Sequence, residues 1–341
     1  MRQTTIALLT LLTLASLCGC RTNEATGRLQ FGMMSREDEI ELGSQVKPEL
    51  IKEYGGEVSS QALRDYVTEI GMKLAQHTEG DSPTLPWTFT VLDSDVINAF
   101  AIPGGSVFIS RGLLEAFENE AQLAGVLGHE IGHVTARHID ERITKAQGLT
   151  IGGALLGTMV GASTNWGALA GVIVGVSGQG YLLKFGRDQE SEADALGVRY
   201  MVAAGYDPIG MIQVLEVLKA ASEGPRPIEM LSTHPYPETR LVRVGELVAK
   251  DYAFARGNPD FIIGGAAFQS RARPYIGARR SLADEPMLAG GCWCGRDHRP
   301  IGHQIGDELV AVAVSGARFS LYPSSWRDRG EAEPSIDSSI P

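Results

Sequence analysis

Apolar residues recur along much of this chain at the three- and four-residue spacing of a helix face. Ser35 with Asp38 has the form of a capping box. Ile40, Val46 and Leu50 then continue one face to the Gly55-Gly56 pair, with Pro48 as a point of bending. Leu63, Val67, Ile70 and Leu74 hold the face of a second helix. Residues 119–142 predict a third, with Asn119 as N-cap, Glu120 in the first turn, and Leu123, Leu127 and Val134 at helical spacing. A fourth runs from about 187 to Ala204 and stops at Gly205. Asp207-Pro208 caps a fifth through Ile212, Leu215 and Leu218. Between the second and third helices the period changes to two. Trp87, Phe89 and Val91 share one side of a strand over 87–92, and 96–101 and 107–110 read as two more, joined through Pro103-Gly104-Gly105. The expected class is α+β, mainly helical, with a small sheet just before the 119–142 helix.

Four stretches depart from this pattern. Arg2 and an apolar run from Ile6 to Leu17 read as a signal peptide over 1–19. It ends in Leu17-Cys18-Gly19-Cys20, which resembles a bacterial lipobox with Cys20 to be lipidated, although Cys18 is an unusual residue at its place. Arg21 is not the Asp of the inner-membrane retention rule, so the periplasmic face of an outer membrane is favoured. Residues 21–34 are polar and predict a tether. Residues 146–183 are uncharged and Gly-rich, with Gly153, Gly157 and Gly161 four apart, as are Gly167, Gly171 and Gly175. That spacing lets helices approach closely, but the two halves are short, broken by Gly and split by Asn165 and Trp166, so for a lipoprotein a local hairpin or mobile loop over the cleft is favoured over a membrane hairpin. Residues 277–341 form a tail rich in Gly, Pro, Arg and Ser, in which Val310, Val312 and Val314 alternate like a strand. The domain proper is then expected over 35–276.

Composition changes this picture little. With 43% apolar and 21% charged residues the chain is an ordinary globular protein, and a net charge of −11 offers no basic footprint for nucleic acid. Beyond Cys18 and Cys20 the only cysteines are Cys292 and Cys294 in the tail. They form a strained disulfide, stay reduced, or join His298 and His303 in a second metal set.

The candidate chemistry lies in the third helix, in His129-Glu130-Ile131-Gly132-His133. Residues four apart on a helix are turned by only about 40°, so both imidazoles can share one metal ion. Glu130, about 100° round from His129, can reach a water there without being a ligand. Zinc with two His, one further ligand and an open position lowers the pKa of its water to about 7, and Glu130 can shuttle the proton. Gly128 and Gly132 weaken the helix and imply close approach by another element. For the third ligand, His138 stands five residues beyond His133, about 140° round the helix, which predicts a partly exposed residue outside the ligand set, either behind the ligands or on the surface. Glu190 and Asp194 share a face of the fourth helix, with Glu192 on the other side. Glu190 suits the metal, and Asp194 suits the free ring nitrogen of a ligand His.

The combination of HExxH with an E-x-x-A-D helix resembles the gluzincin metallopeptidases of the HtpX and CAAX-prenyl-protease family. The likeness is greatest to small bacterial envelope members of the BepA-like and LoiP-like kind. The string Asn98-Ala99-Phe100-Ala101-Ile102-Pro103-Gly104-Gly105, Arg111-Gly112-Leu113-Leu114, and the stretch Ser232-Thr233-His234-Pro235 through Arg240 carry the same likeness, which covers about residues 35–275. It implies a zincin fold, one zinc ion held by His129, His133 and Glu190, catalytic Glu130, and Asp194 behind the ligands. It also places His234 beside the metal, as an oxyanion donor or as a fourth ligand that silences the site; a structural cap is the third reading. Arg240 either braces the site, binds a substrate carbonyl or lies on the surface. An edge strand bordered by Asn98, Ala99 and Phe100 would pair with extended substrate, unless Phe100 is simply core. The implied role is hydrolysis of unfolded or misassembled envelope proteins, with a chaperone-like protein whose zinc site is closed as the alternative. Nothing in the tail repeats at the roughly 34-residue period of the tetratricopeptide array that BepA-like members append.

Overall fold

A computed structural model of the protein describes residues 20–145, 184–222, 228–235 and 237–277. The signal peptide, the Gly-rich run over 146–183 and the tail with Cys292 and Cys294 lie outside the described residues. Among those described, no helix is long and apolar enough to cross a membrane.

A hairpin of β1 (Cys20–Thr22) and β2 (Leu29–Phe31) opens the fold. Two helices follow, α1 (Arg36–Glu53) and α2 (Gln61–Ala75). Ser35 and Asp38 form the reciprocal capping box read from the sequence, and Ser60 caps α2. Then come β3 (Thr88–Leu92), β4 (Ala99–Ile102) and β5 (Ser106–Ser110), in the order β3-β5-β4, with β3 parallel and β4 antiparallel to the central β5. Gly104 and Gly105, both at positive φ, make the β4–β5 turn. A short α3 (Arg111–Glu115) leads into α4 (Glu120–Thr135), capped by Asn119 and Gln122. Beyond lie α5 (Arg187–Ala203), α6 (Ile209–Ser222), α7 (Met230–Thr233), α8 (Pro237–Asp251), α9 (Gly265–Arg271) and α10 (Arg273–Ile276). Asp207 Oδ1 accepts from Ile209 N at the start of α6, as its place before Pro208 implied.

The period-two pattern of the strands is spent on two cores. Phe89, Val91, Val107 and Ile109 face a large cluster with α2, α4, α5 and α6, while Leu92, Phe100, Phe108 and Ile102 face a smaller one with Leu42, Val46 and Leu50 of α1. The sheet is therefore buried on both sides, and α4 runs through the middle of the molecule with all its residues buried.

Three expectations are corrected. The helix expected over 119–142 stops at Thr135 and turns at Ala136-Arg137, where Arg137 has φ 54°, before helix resumes at 138. Arg137 is held there by its own buried side chain, which donates to Glu39 Oε1 at 3.0 Å and to Met34 O at 2.6 Å. The tether expected over 20–34 is folded onto the domain. Helix ends leave unpaired carbonyls, and the polar residues of this segment satisfy those of α4: Asn23 Nδ2 donates to Thr135 O at 3.0 Å and Gln30 Nε2 to Ala136 O at 2.9 Å. Finally, β4 is an edge in pairing order but not an open one. Ala99, Phe100, Ala101 and Ile102 are all buried, and a bridge from Ile97 to Ile228 closes its start. Phe100 stacks on Phe108 at 4.8 Å, which is the core reading, and Asn98 is held by Tyr54 and Glu229.

The glycines of α4 are explained by α5. A Cβ on Gly128 would sit 3.1 Å from Gly197 O, one on Gly132 2.9 Å from Ala193 O, and one on Gly197 2.9 Å from His129 N. Gly132→Ala is therefore expected to cost about 1–3 kcal/mol by overpacking a backbone contact. Gly245→Ala in α8, where nothing lies within 4 Å, is expected to raise stability by about 0.5–1 kcal/mol through the helix interior alone. Urea unfolding midpoints of the two variants should move in opposite directions.

Candidate metal centre

The contact between α4 and α5 sets HExxH against the fourth-helix carboxylates. One donor atom each from His129, His133, Glu190 and His234 lies within 4.8 Å of the others, and all four residues are buried. His129 Nε2 and His133 Nε2 are 3.0 Å apart, and Glu190 lies 3.6 Å from the first and 3.5 Å from the second. His234 arrives from the end of α7, its Nδ1 3.2 Å from His129 Nε2 and 3.0 Å from Glu190 Oε1. Phe185 N donates to Thr233 O at 2.9 Å and fixes that end, while the Phe185 ring stacks on His133 at 3.8 Å.

The outer ring atoms show which tautomers these imidazoles adopt. His129 Nδ1 lies 2.9 Å from Asp194 Oδ1, so it carries the proton and donates it there. His133 Nδ1 lies 2.8 Å from His138 Nδ1, and His138 Nε2 lies 3.0 Å from Glu192 Oε2. A carboxylate must accept, so His138 donates from Nε2 and accepts from His133 at Nδ1. Burial, the largest influence on both rings, lowers the pKa of His133 and of His138 and keeps them neutral, as this chain of bonds requires. Two ring nitrogens with free lone pairs therefore face each other beside a carboxylate. Such an arrangement repels itself unless a cation lies among the donors, and the nitrogen and oxygen donors are those zinc takes in a four-coordinate site. The residues fit one zinc ion.

Arg240 braces the cluster and does not reach the surface. Its Nε and Nη2 donate to Asp194 at 2.8 and 2.6 Å, and its Nη1 comes within 2.7 Å of Glu190 Oε2, an ion pair without hydrogen-bond alignment. Burial pushes the Glu190 carboxyl up, but Arg240, His234 and His133 outweigh it and hold the group well below the usual carboxylate range. Asp194 is likewise lowered, Arg240 overcoming burial. Burial lowers His234, yet Glu190 and Glu130 together raise it above an ordinary imidazole. Glu130 makes no hydrogen bond with either oxygen, although it is fully buried, and its Oε1 lies 3.6 Å from His234 Nε2.

The sequence reading grouped His129, Glu130, His133, Glu190 and Asp194 correctly in space. His138, expected partly exposed, is fully buried behind His133, to which it is hydrogen-bonded. The reason is the left-handed residue at Arg137, which resets the helical rotation on which the 140° estimate relied. Glu192 points away from the donors as expected, and there meets His138 and, at 3.0 Å, Arg28 of the hairpin. Phe185 was missed; its one signal is an aromatic residue immediately before the Gly186 cap of α5.

Residues 61–248 match the description of peptidase family M48. The chain is 38% identical over 191 residues to the beta-barrel assembly-enhancing protease of Escherichia coli (strain K12), a stretch covering 54% of this chain and 38% of that protein. It is 35% identical over 186 residues to the protein of the same name from Yersinia pestis, covering 52% and 37%. To the mitochondrial metalloendopeptidase OMA1 of Schizosaccharomyces pombe it is 31% identical over 225 residues, covering 65% and 64%. The chain thus spans well under half the length of the two bacterial relatives. A match over more than half the chain, on a fold that gathers the HExxH histidines with Glu190, places this protein in peptidase family M48.

Proposed function

We propose that this protein is a zinc metalloendopeptidase of the bacterial cell envelope. It is held by lipid on Cys20, at the periplasmic face of the outer membrane, and hydrolyses unfolded or misassembled envelope proteins. The observation that carries the catalytic part is Glu130, a fully buried side chain beside four metal donors; its oxygens accept no hydrogen bond, the nearest cationic group being His234 at 3.6 Å. A buried polar side chain is rarely left without a hydrogen bond, and a base waiting for a water is a reason to leave it so. The envelope assignment is supported by the lipobox-like stretch and by what the bacterial relatives' name says of them.

In this reading His129, His133 and Glu190 hold the ion. Zinc so bound supplies a water with a pKa of about 7 and a positive charge for a substrate carbonyl. Glu130 takes the proton of the attacking water and delivers it to the leaving amine. Asp194 fixes the tautomer of His129, and His138 with Glu192 fixes that of His133. Arg240 holds Asp194 and Glu190 in register. His234 would supply a fourth donor to the ion, and since all four donor residues are buried, α7 would have to move to admit a peptide.

Three outcomes test these roles. Residues 21–341 are expected to cleave reduced casein with one zinc per chain, and Glu130→Gln to keep the zinc while losing about 10²–10⁴-fold in rate. Zinc in both proteins with cleavage in neither would replace this assignment with the latent or chaperone-like reading. Replacing His234 by Ala is expected to raise the initial rate severalfold with zinc retained; a fall would assign that ring to the carbonyl oxygen. His138→Ala is expected to weaken zinc binding about 10–100-fold in competition with a chromophoric chelator. Glu192→Gln keeps an acceptor for His138 and should weaken it less.

A further inference from the structure

The strand β2 and the residues after it alternate in the opposite sense to an ordinary surface strand. Gln30 and Met34 face inward and are buried, while Leu29 (68% exposed), Phe31 (49%) and Met33 (45%) face outward. The inward choice is fixed by hydrogen bonds. Gln30 caps the end of α4, and both Met33 N and Met34 N donate to Asp140 Oδ1 at 3.1 Å. A side-chain period of two then forces the three apolar residues out together. Antiparallel sheets with one free face turn polar residues to water; a run of outward apolar residues marks a surface that meets something apolar.

We infer that this face of the hairpin rests in the headgroup and acyl boundary of a lipid bilayer. The inference rests on the lipid-anchor reading of Cys20. What selects lipid as the occupant is register: Cys20 is the cross-strand partner of Phe31, and Thr22 of Leu29. Paired strands lie about 5 Å apart, so the attachment residue is level with the middle of the apolar stripe. The hairpin returns Phe31 beside Cys20 with no tether between them, and a bilayer that receives acyl chains at Cys20 meets Phe31 at the same height. The stripe is then the second of the two signals that stable anchoring needs. It fixes which side of the domain lies on the membrane: the hairpin side, with its other face against the end of α4.

The test is depth quenching of tryptophan in the full chain, processed in cells and reconstituted in phosphatidylethanolamine–phosphatidylglycerol vesicles. Phe31→Trp and, as control, Phe254→Trp (Phe254 is 62% exposed, outside the hairpin) are read as differences from the parent and its four tryptophans. Brominated acyl chains are expected to quench the Phe31→Trp signal at least twofold and to leave that of Phe254→Trp unchanged. The mass of the mature protein reports separately whether Cys20 carries lipid. Lipidated, vesicle-bound protein with an unquenched Trp at 31 would overturn the inference and leave the anchor standing. Absence of lipid on Cys20 would overturn the anchor, and the inference would then stand or fall on whether added vesicles quench the same variant. Shielding of that Trp from aqueous acrylamide without lipid would overturn it in favour of a protein partner.

Discussion

The structure depends on how closely two backbones can approach. Helix axes usually pack 8–10 Å apart, at a separation set by the side chains between them. Between α4 and α5 those side chains are absent or no more than a methyl, with Gly128 facing Gly197 and Gly132 facing the backbone of Ala193. Zinc bonds to nitrogen and oxygen are about 2.0–2.2 Å long, so donors on separate helices must meet within a narrow tolerance. His129 and His133 come from one helix and Glu190 from the other. The same glycines that weaken α4 as an isolated helix therefore place its imidazoles within reach of the α5 carboxylate.

Close approach brings an electrostatic problem with it. Glu130, Glu190 and Asp194 are buried within one small volume, and the guanidinium beside them is that of Arg240. Taken as carboxylates against one guanidinium, the three acids leave an excess of two negative charges, which a divalent cation balances. Breaking such a set by removing one partner strands the others in low dielectric. His234, whose pKa Glu190 and Glu130 raise, can carry part of that charge as a proton, and a metal must compete with it for the same lone pair. Metal and proton thus contend for one ring nitrogen.

What was legible in the sequence was what is local. Caps at Ser35, Asn119 and Asp207, the two strand periods, and the i, i+4 pairs His129–His133 and Glu190–Asp194 depend on nearest neighbours along the chain. What was not legible depended on partners far away in sequence. His138 was misplaced because one residue, Arg137, leaves the helical region to satisfy Glu39 and Met34 O, about a hundred positions earlier. The polarity of residues 21–34 suggested solvent, whereas Asn23 and Gln30 are polar because a helix end is. Asn98 to Phe100 resembled an open substrate edge, but what lies over an edge strand is decided by packing elsewhere, and here Tyr54 and Glu229 hold its first residue.

The N-terminal hairpin joins these levels. Arg28 pairs with Glu192 at 3.0 Å, and Glu192 receives the proton of His138, which in turn receives that of His133. Asn23 and Gln30 close the carbonyls of the helix that carries both metal histidines. The first ordered residues after the lipobox-like cysteine are therefore part of the support of the metal site and not a leash on which the domain swings. An anchor at Cys20 would hold the domain at one height and one orientation. Substrates would then have to come to the domain at that height, and selection among unfolded chains would fall to geometry as well as to sequence.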